Sequence, residues 1–342
     1  MKTEKLALNS KKNEMKKKLL LLSYFFVLTV NAQDPQFSQY YANPIFLNPA
    51  FTGLTNEHRA VANYRNQWMG ISKAYSTYAI SYDNNLGLNH MGAGIQVIHD
   101  ASGTASLNNT GITGLLSWNG KINRFTEIRA GLSLGYSMMR FNFSNLVFND
   151  QLYTGSSTSV ESFQNLTRNY VDIHTGILIN SSNYWIGLSA KHINRPDFDF
   201  SDKDNDRLPI KWSVHGGYKF LIDKNDREQK KYISPSFNYR HMANFNQLDI
   251  GASFNYSPMQ IGLWYRGIPL KGISSKLPNR DAMVIILGYD LEKYNMRIGY
   301  SYDLAISSLI NNTSGSHEIS IIYEVSRPSR QGRKVLLTTP KF

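Results

Sequence analysis

From about residue 58 onward, large apolar side chains recur at every second position, broken by short turn signals. In 128–138, IRAGLSLGYSM, the even positions are large and apolar while the odd ones are small or polar. Residues 184–191, YWIGLSAK, alternate in the same way, and 318–324, EISIIYE, does so less cleanly. The spacing predicts about fourteen strands, at 58–69, 74–83, 91–100, 107–118, 125–141, 170–180, 183–192, 209–222, 231–241, 246–256, 259–267, 281–291, 294–302 and 316–325. Two architectures use such strands. A soluble sandwich or propeller turns its apolar face to a core, whereas a membrane barrel turns it to lipid and lines its lumen with the other face. The small and polar second face, as at Gly131, Ser133 and Gly135, favours the barrel.

The connections sharpen that choice. The longest gaps, 142–169, 193–208, 268–280 and 303–315, all follow odd-numbered strands. Most gaps after even-numbered strands are short, for example Ser181-Ser182, Ser257-Pro258 and Lys293. With the N-terminus in the periplasm, the long connections face outward and the short ones face the periplasm, as in bacterial outer-membrane barrels. Tyr and Trp gather near strand ends, among them Tyr78, Tyr82, Trp118, Tyr136, Tyr170, Trp185, Trp212 and Trp264. That placement suits interfacial girdles, although aromatic-rich soluble sheets share it.

The first residues read as a leader. Lys16, Lys17 and Lys18 precede a mostly apolar stretch from Leu19 to Val30, and small residues surround a cut after Ala32. Met15 would serve as an ordinary start for it. Residues 33–53, QDPQFSQYYANPIFLNPAFTG, follow the cut with five aromatics and two Asn-Pro pairs, which break any long helix or strand. A free tail would expose too much aromatic surface, so the segment is expected to fold against the barrel's periplasmic mouth or lumen. The expected organisation is signal peptide 1–32, plug or docking segment 33–57, barrel 58–325 and basic periplasmic tail 326–342.

Composition changes the picture in three places. The chain of 342 residues has no cysteine, which excludes disulfides, iron–sulfur clusters and thiolate zinc sites. Aromatics reach 13% while charged residues are only 18%, a balance that suits strands better than helices. The formal charge is +12, of which the leader's seven lysines and two glutamates supply +5, leaving +7. The leader, the dispersed charge and the lack of a recognition motif argue against nucleic acid.

Candidate chemistry is sparse. Asp202, Asp204 and Asp206 have the first spacings of a calcium loop, but Arg207 stands where glycine is required and Ser213 where glutamate is, so the stretch reads as a solvated loop. His174, His192, His215, His241 and His317 lack ligand spacing and read as lumen or strand-end residues, with no metal and no cofactor assigned. No HExxH, Ser-His-Asp or paired-carboxylate pattern stands out, so the expectation is a protein that is not an enzyme. The tail carries Arg327, Arg330, Arg333, Lys334 and Lys341 with no acid, and reads either as a contact for an acidic partner or peptidoglycan or as a solvated extension.

The segment 33–53 resembles the N-terminal signature of the PorP/SprF family, outer-membrane proteins of the type IX secretion system in Bacteroidetes. Further matching stretches are 64-YRNQW-68, 189-SAKHINRPD-197, 262-GLWYRG-267, 299-GYSYDLAISSLINNTSGSHEISIIYE-324 and 339-TPKF-342. The resemblance implies a fourteen-stranded outer-membrane barrel of the same general type as long-chain fatty acid channels. It implies work in type IX secretion or in surface anchoring of large adhesin-type cargo, often with gliding motility. The partners it implies are the secretion machinery, its secreted surface protein, periplasmic peptidoglycan-associated proteins and outer-membrane lipid. The expected partner-binding residues are Phe37, Tyr40, Tyr41, Asn43, Pro44, Asn48, Pro49 and Phe51 in the plug, with Arg330, Arg333 and Lys334 in the tail. The alternative is an outer-membrane transporter or channel for a hydrophobic or small solute.

Overall fold

A computed structural model describes residues 34–55, 58–70, 75–87, 90–103, 107–142, 149–155, 166–198, 200, 207–223, 231–268, 280–306 and 314–325. The alternating segments form strands: β1 (His58–Gln67), β2 (Tyr75–Asn85), β3 (Met91–Ser102), β4 (Leu107–Lys121), β5 (Thr126–Phe141), β6 (Leu166–Ser181), β7 (Tyr184–Lys191), β8 (Lys211–Tyr218), β9 (Phe220–Leu221), β10 (Lys231–Met242), β11 (Phe245–Tyr256), β12 (Met259–Gly267), β13 (Arg280–Leu291), β14 (Met296–Ala305) and β15 (Ser316–Val325). β8 and β9 both pair with β10 and are separated only by Lys219, so they form one crossing and the wall has fourteen. The strand expected over 209–222 is thus present with a break.

Every neighbouring pair is antiparallel, and β1 pairs with β15 from His58↔Val325 to Gln67↔Ser316. With β10 also paired to β11, the sheet closes on itself and leaves no free edge. Closure fixes the ends. The connections 142–165, 192–210, 268–279 and 306–315 share one rim with the ends of β1, β3 and β10. The short turns after β6, β11 and β13 share the other rim, as do His58 and Val325.

The faces decide between the two architectures. Ile80, Ile95, Ile112, Leu116, Leu132, Leu134, Ile186, Ile261 and Ile285 are among many exposed apolar side chains on the outside of the wall. Arg59, Asn63, Arg65, Ser81, Asp83, Gln96, Arg129, Ser133, Asp172, Ser189 and Glu318 are buried on the inside. This polarity is the reverse of a soluble sandwich, and it is the one lipid demands. Among the described residues no helix is long and apolar enough to cross a membrane.

The aromatic girdle needs correction in part. Tyr78, Tyr82, Trp118, Tyr136, Trp212 and Tyr256 face outward, but Tyr170, Trp185 and Trp264 are buried. Trp185 and Trp264 occupy inward positions of β7 and β12, where they meet aromatics of the N-terminal segment.

Candidate functional site

The lumen is occupied by residues 36–55. Pro after Asn43 and Pro after Asn48 start two short turns, a helix (Pro44–Leu47) and a 3-10 turn (Pro49–Phe51), in the first positions where proline's missing N–H costs nothing. At the second turn the Asn48 side chain accepts a hydrogen bond from Ala50 N at 2.8 Å. The chain therefore coils inside the barrel and makes no strand. Gln39, Asn43, Asn48, Ala50, Phe51 and Thr52 are all at or below 1% exposed.

Three groups of wall residues hold this plug at successive levels. Near the long-connection rim, Glu318 accepts from Ser38 N at 2.7 Å and from Gln39 N at 3.1 Å. Arg65 donates to Ser38 Oγ at 2.7 Å, to Asp303 at 2.8 Å and to Glu318 at 3.2 Å. Arg266 donates to Ser38 Oγ, Asp303 and Asp249, each at 3.0 Å, and Arg240 pairs with Asp249. Three arginines thus balance three carboxylates around one plug serine. A buried charge is tolerated only when paired and hydrogen-bonded, so the set acts as one unit.

At mid-height Asn48 Nδ2 donates to Ile177 O at 3.1 Å and Leu188 O at 3.2 Å, and lies 3.2 Å from His215 Nε2. Ser189 Oγ donates to Leu47 O at 3.0 Å. Phe51 packs edge-on against Trp185 with centroids 5.8 Å apart, and Tyr41 lies 5.8 Å from Trp264. Near the short-turn rim, Arg129 donates to Ala50 O at 3.0 Å and Thr52 O at 2.8 Å. Arg59 donates to Asp83 at 2.8 and 2.9 Å, and Asp83 in turn accepts from Gly53 N at 2.7 Å.

The approach is close enough to require glycine in the wall. A Cβ on Gly131 would lie 2.3 Å from Ala50 N, and one on Gly176 2.0 Å from Asn48 Oδ1. A cavity of about 30 Å³ remains between Phe37, Tyr40 and Phe46 and the wall residues Lys191, Lys211 and Arg240, room for little more than a water. Lys191 sets its ammonium over the Phe46 ring, 3.4 Å from the centroid.

Phe37, Tyr40, Tyr41, Asn43, Pro44, Asn48, Pro49 and Phe51 are therefore together, and all are buried in the lumen rather than displayed at a mouth. Arg330, Arg333 and Lys334, the remainder of the basic tail, the leader and its cut after Ala32 lie outside the described residues. So do Asp202, Asp204 and Asp206. The wall arginines and acids that grip the plug escaped the sequence reading, because Ser38 and Glu318 are 280 positions apart. An inward charge within an otherwise alternating strand, as at Arg129 or Asp83, was the available signal. Two of the histidines treated separately, His174 and His192, come together beside Asp172.

Three solved structures are among those similar to this chain. A FadL homologue of Pseudomonas aeruginosa is 10% identical, with 83% of this chain and 94% of that chain covered and a TM-score of 0.45. The Pseudomonas putida toluene transporter TodX is 9% identical over 85% of this chain and 94% of its own, with a TM-score of 0.45. The KdgM porin is 9% identical over 78% and 99%, with a TM-score of 0.37. No curated protein sequence matches. The family described as "Type IX secretion system membrane protein PorP/SprF" matches residues 29–323, which takes in the plug and all but the last two residues of the closing strand. The chain belongs to the PorP/SprF family of type IX secretion system membrane proteins.

Proposed function

We propose that this chain works in type IX secretion by binding other proteins, making and breaking no bonds, and that it supports the secretion or surface anchoring of large adhesin-type cargo of the kind used in gliding motility. The observation that carries this reading is the filled lumen. A segment anchored to Glu318, Arg65 and Arg266 at one rim and to Arg59, Asp83 and Arg129 at the other suits a closed barrel that presents surfaces better than an open conduit. On this reading the rim with the connections 142–165, 192–210, 268–279 and 306–315 faces the cargo outside the cell. The opposite rim, where β1 begins and β15 ends, together with the tail bearing Arg330, Arg333 and Lys334, serves the periplasmic machinery and peptidoglycan-associated partners.

The test is a deletion strain complemented with the intact chain or with one lacking 33–53, read by mass spectrometry of the secreted and surface proteins. The expected result is loss of one or a few large surface proteins in the deletion strain and recovery with the intact chain. The shortened chain should insert yet fail to restore them. Normal secretion together with lost uptake of a radiolabelled small or hydrophobic solute would overturn the proposal in favour of a transporter. Restoration by the shortened chain would reduce 33–53 to packing.

A further inference from the structure

Asp172 and His174 are two residues apart on β6 and so share a face of the strand. His192 is the first residue beyond β7. The three side chains meet at the rim that carries the long connections, and their donor atoms all lie within 4.8 Å of one another. Asp172 Oδ2 is 2.7 Å from His174 Nε2 and 2.7 Å from His192 Nδ1. We propose that Asp172, His174 and His192 bind one divalent transition-metal ion of the zinc class.

The donor set selects the class of ion. Two imidazoles and one carboxylate suit zinc and its late first-row neighbours, whereas calcium and magnesium require oxygen ligands. A tetrahedral ion with bonds of about 2.0–2.1 Å holds its ligand atoms about 3.3 Å apart. The two Asp172 contacts would open from 2.7 Å to that spacing, and all three donor atoms already lie within 4.8 Å of one another. Three ligands leave one position for water or for a group from a partner.

One further observation points to an ion. The second carboxylate oxygen, Asp172 Oδ1, is buried and has no hydrogen-bond partner. A buried unpaired carboxylate oxygen is costly, and an ion shared with two imidazoles would relieve it. The turn that presents His192 is also fixed to the strand that presents the other two. Ile193 N donates to Ile173 O at 3.0 Å, Ile173 N donates to Asn194 Oδ1 at 3.1 Å, and Asn194 Nδ2 donates to Val171 O at 2.6 Å. These bonds hold His192 at φ 57°, a left-handed conformation uncommon for a residue with a side chain. The ligands are positioned in advance, which is how protein metal sites reach useful affinity.

The test uses the full barrel in detergent, purified without a histidine tag, stripped with a chelator and titrated with zinc chloride by calorimetry. Total metal after dialysis is counted by mass spectrometry. The expected result is one zinc per chain, with H192A and D172N each weakening binding by at least about tenfold. H58Q, at the opposite rim, should bind as the parent does. D172N keeps the size of the side chain and decides the matter if H192A does not fold, as judged by circular dichroism. Absence of a stoichiometric zinc in the folded parent, or binding by D172N and H192A as tight as the parent's, would overturn the proposal and leave the three residues as a hydrogen-bonded clamp between β6 and the turn after β7.

Discussion

Ser133 is 2% exposed and its neighbour Leu134 is 59% exposed. That difference between successive residues is the alternation of a strand with lipid on one side and a filled lumen on the other. It gives two predictions with different outcomes from adjacent sites. Leu134→Arg places a charge against lipid and should lower stability in lipid by about 2–4 kcal/mol if the residue lies near mid-bilayer, measured by denaturant unfolding in vesicles. No loss would move that face to the lumen. Gly131→Val, three residues away and facing inward, should instead expel the plug, because even a Cβ there lies 2.3 Å from Ala50 N. The readout is protease cleavage within 34–55 while the wall stays intact; a protected segment would show that the wall yields first. Outward and inward positions were legible from the 128–138 pattern alone. The girdle reading missed Trp185 and Trp264 because it went by closeness to strand ends, although Trp185 shares its face with Gly187 and Ser189, and Trp264 with Gly262 and Arg266, and their contacts with Phe51 and Tyr41 agree.

At the scale of elements, the plug and the wall depend on each other. Its two Asn-Pro turns make the segment compact, and the inward arginines and acids exist to receive it. Glu318 bridges two plug amides and Arg65, so Glu318→Gln removes one charge from a balanced group of six. The expected cost is about 3–5 kcal/mol of stability, with cleavage of the plug at lower protease concentration. Stability and protection equal to the parent would mean that the aromatic contacts alone hold the segment. Removing 34–55 should leave a polar-lined barrel, so planar bilayers should show little conductance from the intact chain and steady ion conductance from the shortened one. Equal conductance would mean that the segment does not close the lumen. The proline and aromatic content of 33–53 already argued for a packed segment, but the sequence left mouth and lumen open. The deciding partners are spread from Arg59 to Glu318, and nothing local links them.

For the whole molecule, closure does more than remove sheet edges. It gathers the four long connections at one rim, and it brings β1 and β15, the ends of the wall in sequence, side by side. The parity of long and short gaps carried this arrangement in the sequence, since alternate connections of a closed antiparallel barrel must share an end. The break at Lys219 was invisible to it, because a one-residue interruption does not disturb the count of crossings. Likewise His192 joins Asp172 and His174 only through the β6–β7 pairing and the turn beyond it. What the molecule offers, then, is a membrane wall, a locked lumen and two unlike rims, an arrangement suited to joining partners across a membrane. The most direct measurement is affinity isolation of the tagged chain from detergent-solubilised outer membrane, with mass spectrometry of the proteins retained. Type IX secretion subunits or a very large secreted surface protein, retained in stoichiometric amounts, are the predicted result. A barrel isolated alone, from membranes in which the secretion system is assembled, would contradict the account.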